Sequence, residues 1–165
     1  MTVAVETAAT RRGAVGVASE YWAATAGPNS SRWRGIRQQL TMLTAVERHD
    51  LIMAGLPTHI VRDLLGTFHD ISEERLLKAI GLSNKTLQRR AESRLGLRHS
   101  DAAIALIEVT DLAEHMLGTR SLAERWLAQP AIALNECCPI DLISTTPGIE
   151  AIKELLTRME HGVYA

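Results

Sequence analysis

Residues 73–90 of the 165-residue chain read EERLLKAIGLSNKTLQRR, and this stretch decides the fold. Two short segments with apolar faces meet at Gly81, and a glycine supplies the tight turn that a helix-turn-helix needs. The stretch therefore predicts a helix-turn-helix unit. The apolar side chains that are spaced to pack its two helices together are Leu76, Leu77, Ile80, Leu82 and Leu87.

The second helix of this unit carries polar side chains near its start. When a helix-turn-helix docks on DNA, the first residues of its second helix enter the major groove. Asn and Gln side chains suit adenine edges there, while Arg and Lys suit guanine edges or phosphates. The pattern predicts the following DNA-binding residues: Ser83, Asn84, Lys85, Gln88, Arg89 and Arg90.

Positive charge is concentrated at the same place. Between Asn84 and Arg98 there are five basic residues and one acid, Glu92, so the local charge is +4 in a chain whose net charge is −1. Such clustering is typical of phosphate binding. The alternative is a solvated basic helix in a bundle that binds no DNA. Since one such unit gives little affinity alone, we expect a homodimer on paired half-sites.

The overall composition narrows the class of protein. Hydrophobic residues make up 46% of the chain and charged residues 22%, which excludes a mostly disordered chain. Aromatic residues are only 4%, which argues against a base-stacking platform. No apolar run approaches the roughly eighteen residues that a membrane helix needs. With only two cysteines, Cys137 and Cys138, and no disulfide framework, we expect a cytoplasmic protein.

Helical signals continue on both sides of the central stretch, and sustained alternation of period two is absent. The sequence therefore predicts an all-α fold. Its expected helix starts are a capping box at Thr44-Ala45-Val46-Glu47, a second capping box at Ser121-Leu122-Ala123-Glu124, and Ser100 at the head of a long helix that ends near Leu117.

Three segments follow from this organisation. Residues 1–43 are expected to form a mobile N-terminal arm, residues 44–99 a helix-turn-helix DNA-binding domain, and residues 100–165 a second helical domain with an exposed C-terminal tail. Trp33 lies between two arginines, and we expect it to pack onto the first helix rather than to form a separate contact surface.

The tail that follows the last helix has residues suited to entering a pocket of another molecule. Gly162 permits unusual backbone angles, Tyr164 presents an aromatic ring, and Ala165 carries the terminal carboxylate. Such an end could fill a pocket that is built for an anionic ligand. The alternative is a frayed C-terminus.

Residues of catalytic or metal-binding type form no recognisable constellation. The six histidines are scattered, without an HExxH pattern, and the adjacent pair Cys137-Cys138 lacks metal-ligand spacing. Two buried structural thiols are favoured over a cysteine nucleophile. We therefore expect no enzyme activity, no metal and no cofactor.

Several motifs occur in the order found in a known family. Residues 81–90, GLSNKTLQRR, resemble the G-x-S-x-x-T-L-x-R-R core of the Xre/ParS/MbcA antitoxins. Residues 122–130, LAERWLAQP, are similar to that family's A-x-x-W-L-x-x-P segment, and residues 139–143, PIDLI, to its P-x-D-L-L segment. The resemblance covers about residues 44–165. It departs at Asn135-Glu136-Cys137-Cys138, where many relatives have glycine.

The resemblance implies an antitoxin of a type II toxin–antitoxin pair. Its usual partner is a RES-domain toxin, an enzyme that consumes NAD, and the C-terminal domain would cover the toxin's active site. The helix-turn-helix would repress the shared operon, with the residues given above facing operator DNA. The alternative is a stand-alone transcription regulator whose C-terminal helices only dimerise. The residues that the resemblance turns toward the toxin are Glu160, His161, Gly162, Val163, Tyr164 and Ala165.

Overall fold

A computed structural model describes residues 29–89 and 93–162 of the chain, with side chains from Arg32 onward. Within these residues the secondary structure is helical apart from two isolated bridges, so the predicted all-α class is confirmed. None of the helices in those two ranges is long and apolar enough to cross a membrane. The helices are α1 (Asn29–Met42), α2 (Ala45–Ala54), α3 (Thr58–Leu65), α4 (Glu73–Ala79), α5 (Asn84–Arg89), α6 (Leu97–Leu117), α7 (Arg120–Ala128), α8 (Pro139–Leu142) and α9 (Thr146–Glu160), with a 3₁₀ turn at Ile132–Leu134.

Helix α1 differs from the arm that the sequence predicts over residues 1–43. It begins at Asn29 and buries Trp33, Ile36 and Leu40, which lie three and four residues apart on one helix face. This face packs against α3 and α6. Part of the expected arm therefore belongs to the hydrophobic core, while residues 1–28 lie outside the described residues.

The first of the predicted capping boxes is confirmed. Thr44 and Glu47 form the expected capping box, in which each side chain bonds the other residue's backbone N–H. Ser72 caps α4 by accepting a hydrogen bond from the backbone N–H of Arg75. Gly55 ends α2 with a φ of +78°, a backbone conformation that disfavours other residues.

The long helix α6 is the centre of the fold, because most of its surface is buried. It packs against α1, α2, α7 and α9. It begins at Leu97, so the prediction that Ser100 caps it is wrong. Ser100 is instead buried inside the first turn, where its Oγ accepts a hydrogen bond from the backbone N–H of Leu56 at 2.9 Å. The hydroxyl thereby joins α6 to the turn between α2 and α3.

The predicted capping box at residues 121–124 is also wrong. Helix α7 is capped by Thr119, whose hydroxyl accepts from the backbone N–H of Leu122. Ser121 lies in the first turn and donates to Oδ2 of Asp70 at 2.7 Å. Glu124 is buried with 1% of its surface exposed and bonds residues far along the chain. Long-range partners therefore replace the local bond that a capping box would make.

The C-terminal part folds as short elements around α9. A bridge between Ala131 and Cys137 closes the loop in which the chain departs from the family pattern. Asn135 and Glu136 have φ values of +54° and +61° in this loop, a conformation that glycine adopts most easily. The side chains of both residues are exposed. The large apolar residues that are buried in this part are Leu134, Ile140, Ile143, Ile152 and Leu156.

Candidate functional site

Helices α4 and α5 and the turn between them occupy the stretch for which the sequence predicts a helix-turn-helix, and they are called the helix pair below. The turn is closed by the backbone N–H of Leu82, which donates to the carbonyl of Leu77 at 2.8 Å, and Gly81 has a φ of +72°. The five apolar residues that the sequence predicts at the helix–helix contact are all buried. All five therefore belong to the hydrophobic core.

Helix α5 presents its predicted site residues to solvent. Leu87 is buried and anchors the helix, while Thr86 is half-buried. The Oγ of Ser83 accepts from the backbone N–H of Thr86 at 3.2 Å and so begins the helix. Arg90 lies outside the described residues. The predicted residues that are exposed are Ser83, Asn84, Lys85, Gln88 and Arg89.

The basic charges around α5 differ in their surroundings. No ion pair among the described residues engages Lys85, Arg89 or Arg98, and all three side chains are exposed. Arg94 donates from Nη1 to the carbonyl of Gly55 at 2.7 Å, so its guanidinium serves the structure. Three cations are thereby left free to meet an external anion.

The chain that leaves the helix pair is clasped by the turn between α2 and α3. The carbonyl of Ser93 accepts from both the backbone N–H and the hydroxyl of Thr58, at 3.0 and 2.7 Å. The backbone N–H of Leu95 donates to the carbonyl of Leu56 at 2.8 Å. A side chain at Gly55 would begin 2.3 Å from the carbonyl oxygen of Leu95, so only glycine allows this approach.

A buried carboxylate holds the segment that enters the helix pair. Oε2 of Glu124 accepts from the backbone N–H groups of His69 and Asp70 at 2.8 and 2.7 Å. Its Oε1 accepts from Nε of Arg120 at 2.7 Å. The sequence analysis did not predict this role. The available signal was the position of Glu124, a charged residue beside Ala123 on the buried face of an amphipathic helix.

Arg120 is the cation beside this carboxylate. Its guanidinium lies 3.7 Å from the ring centroid of Trp33 and 4.1 Å from that of Phe68, so aromatic faces surround the charge. Burial lowers the pKa of Arg120, and the hydrogen bond to Glu124 opposes that effect. The indole of Trp33 donates to Oε2 of Glu114 at 2.9 Å. This cluster fixes α1 to α6 and α7.

A second arginine joins the helix pair to the C-terminal helices. Arg75, on α4, donates from Nη1 to the carbonyl of Ala128 at 3.0 Å and from Nη2 to Oδ2 of Asp141 at 2.9 Å. The hydrogen bond to Asp141 raises the pKa of Arg75. Helix α4 therefore rests on the end of α7 and on α8.

The predicted tail begins at the end of α9. The backbone N–H groups of His161 and Gly162 donate to the carbonyls of Thr157 and Met159, and Gly162 has a φ of +69°. Glu160, His161 and Gly162 are exposed, while residues 163–165 lie outside the described residues. No hydrogen bond or ion pair in the part that the structure describes joins this tail to α5. The two groups of predicted site residues are thus on separate elements.

Candidate metal ligands are not gathered in the described ranges. No cluster of three His, Cys, Asp or Glu residues there could hold a metal ion. Cys137 is exposed and Cys138 half-buried, so the prediction of two buried thiols is wrong for Cys137. His99 is occupied, with Nδ1 3.0 Å from the carbonyl of Ile80.

Two comparisons with known proteins bear on this arrangement. Residues 112–162 match the family described as the antitoxin Xre/MbcA/ParS C-terminal toxin-binding domain. A curated relative, the antitoxin Xre of Yersinia enterocolitica serotype O:8 / biotype 1B, is 26% identical over 119 residues, which are 70% of this chain and 80% of the relative. Both matches are to antitoxins, and they support an antitoxin of the Xre/MbcA/ParS type, whose toxin-binding domain implies a toxin as the partner.

Proposed function

We propose that this antitoxin binds operator DNA through α5 and represses its own operon. The observation that carries this proposal is the polar surface of α5, where five predicted residues are exposed around the buried anchor Leu87. The unpaired cations Lys85, Arg89 and Arg98 supply the electrostatic attraction to phosphates. Arg90 completes the proposed DNA-binding set. Since a single helix-turn-helix contacts one half-site, the antitoxin binds as a homodimer.

The same proposal assigns the toxin to the C-terminal domain. The matched toxin-binding domain ends at Gly162, within the exposed tail, so the tail continues directly from that domain. Residues 160–165 enter the active site of a RES-domain toxin and block access to NAD, without any catalysis by the antitoxin. The RES class rests on the family resemblance of the sequence motifs. The pair acts in the cytoplasm, where operon DNA and NAD are both found.

The proposal divides the chain into residues 44–99 for DNA and residues 100–165 for the toxin. Helix α1 supports both parts, since it packs on α3 and on α6. Helix α6 supplies the shared core, so the two functions belong to one folded body.

DNA binding is tested by fluorescence anisotropy with a labelled duplex from the promoter upstream of this chain's own coding sequence. We expect the full chain to bind this duplex more tightly than a shuffled duplex of the same composition. Arg89→Ala should weaken binding, because it removes an exposed cation of α5. The matched control Arg158→Ala removes a cation that pairs with Glu154 on α9, and it should leave the affinity unchanged. Equal affinity for both duplexes would overturn the proposed repression.

Toxin binding is tested by co-expressing the tagged antitoxin with a RES-domain protein encoded beside it. We expect the two proteins to co-purify in a fixed ratio through size-exclusion chromatography. A chain that ends at Glu160 should lose the partner or bind it more weakly. Promoter binding without any co-purification would favour the stand-alone regulator.

A further inference from the structure

Residues of the C-terminal helices contact α4 and the segment that precedes it. We propose that Arg75 and Asp141 are positioning residues for DNA recognition, so that the toxin-binding domain sets the affinity of α5 for DNA. This inference rests on the DNA binding proposed above. It adds a role for two residues that lie outside the proposed DNA surface.

The first of these contacts is made by Arg75 and fixes the direction of α4. The guanidinium of Arg75 donates to two acceptors, the carbonyl of Ala128 at 3.0 Å and Oδ2 of Asp141 at 2.9 Å. These acceptors lie on α7 and α8, which both belong to the matched toxin-binding domain. Because a planar guanidinium with two occupied nitrogens allows little rotation, Arg75 transmits the position of α7 and α8 to α4.

The second contact fixes the point where the chain enters α4. Glu124 holds the backbone N–H groups of His69 and Asp70, two and three residues before Ser72, which caps α4. Ser121 adds a hydrogen bond to Asp70 at 2.7 Å. Residues 69–70 are thus bonded to α7, and Ser72, two residues later, begins α4.

The third step links α4 to α5. The bond from Leu82 to Leu77 closes the turn, and the ring of His99 contacts the carbonyl of Ile80 at 3.0 Å. Leu87 is 3% exposed and seats α5 in the core. Because these contacts join α5 to the end of α4, a rotation of α4 turns the DNA-facing side chains of α5.

The test uses Asp141→Asn in the full chain, because this residue lies on α8 and not on the proposed DNA surface. Removing an acid makes the chain less negative, so a general electrostatic effect would strengthen DNA binding. The positioning role predicts the opposite sign, a weakening of about threefold to tenfold on the promoter duplex. The melting temperature should fall by no more than about 4 °C, since the ion pair is partly exposed.

A charge exchange supplies the second measurement. Arg75→Asp should weaken DNA binding more than Asp141→Asn, and the double variant R75D/D141R should recover part of the loss because it restores the ion pair with reversed sign. Arg158→Ala is the control, because it removes a cation that contacts neither α4 nor α5. If the wild-type chain binds the duplex and Asp141→Asn binds it equally or more tightly, the positioning role is overturned while the proposed DNA binding stands. If the wild-type chain does not bind the duplex, the proposed DNA binding fails as well.

Discussion

The carboxylate of Glu124 accepts a hydrogen bond from the backbone N–H of Asp70 at 2.7 Å, across 54 residues of sequence. The same oxygen accepts from the N–H of His69, and the second oxygen accepts from Arg120. A charged group with 1% of its surface exposed is tolerated because three donors surround it. One acid thereby joins α7 to the segment that leads into the helix pair.

Loss of this charge should be costly. Glu124→Gln places an amide among three donors and leaves the cation of Arg120 without its partner, so we expect the free energy of unfolding to fall by about 3 kcal/mol. Urea denaturation measures the change. The control Glu150→Gln alters an exposed acid on α9 and should stay within about 0.5 kcal/mol of the parent chain. Equal stability of the two variants would contradict the role assigned to Glu124.

Helix α1 should contribute to stability as part of the core. Trp33→Ala removes a buried ring that packs against Phe68 and covers Arg120, and we expect a loss of about 3–5 kcal/mol. Met42→Ala on the same helix changes a side chain that is 68% exposed, so its effect should be small. Chemical denaturation compares the two. A negligible effect of Trp33→Ala would return α1 to the arm that the sequence predicts.

Two glycines with positive φ separate backbone strain from crowding. Gly55→Ala adds a methyl group 2.3 Å from a backbone oxygen, whereas Gly118→Ala, at a φ of +88°, meets no atom within 4 Å. We expect about 1 kcal/mol of destabilisation at Gly118 from strain alone, and at least about 2 kcal/mol at Gly55 from strain and crowding together. Thermal melting of both variants checks this order. Equal effects would mean that Gly55 and the backbone of Leu95 are less closely packed than the structure shows.

The capping box of α2 should depend on pH. The hydrogen bonds from Thr44 lower the pKa of Glu47. A lowered pKa in the folded state means that the ionised cap stabilises the fold above the unfolded-state pKa, and that this contribution is lost as the pH falls through the folded-state value. The difference in melting temperature between the parent chain and Glu47→Gln should therefore shrink on acidification. A constant difference would show that ionisation of Glu47 does not matter.

Two neighbouring residues on α5 should affect DNA binding in different ways. Gln88→Ala should relax the preference for one base pair, at a cost of about 1–3 kcal/mol on the preferred duplex. Lys85→Ala should weaken binding to every duplex and reduce the slope of log affinity against log salt by about 1. Anisotropy titrations at several salt concentrations distinguish them. A uniform loss from Gln88→Ala would assign that residue to the phosphates.

Local signals in the sequence were sufficient for the helix pair. Gly81, the serines that cap α4 and α5, and the spacing of Leu76 and Leu87 all act within a few residues, so periodicity and capping predict them. The exposure of α5 follows from the same pattern.

Long-range contacts could not be predicted in this way. Ser121 and Glu124 have the spacing of a capping box, yet their partners His69 and Asp70 lie more than fifty residues earlier in the chain. Trp33 is buried because the side chains of Arg120 and Phe68 pack against its ring, although the residues around it in the sequence are mostly polar. These pairings arise from tertiary packing, which a local pattern does not encode.

The most direct measurement of the central claim is NAD consumption by the purified RES-domain toxin with increasing antitoxin. The full-length chain should stop NAD loss at the ratio found in the co-purified complex, whereas a chain that ends at Glu160 should inhibit far less. Undiminished NAD loss in the presence of the saturating full-length chain would contradict neutralisation of this toxin through the C-terminal domain.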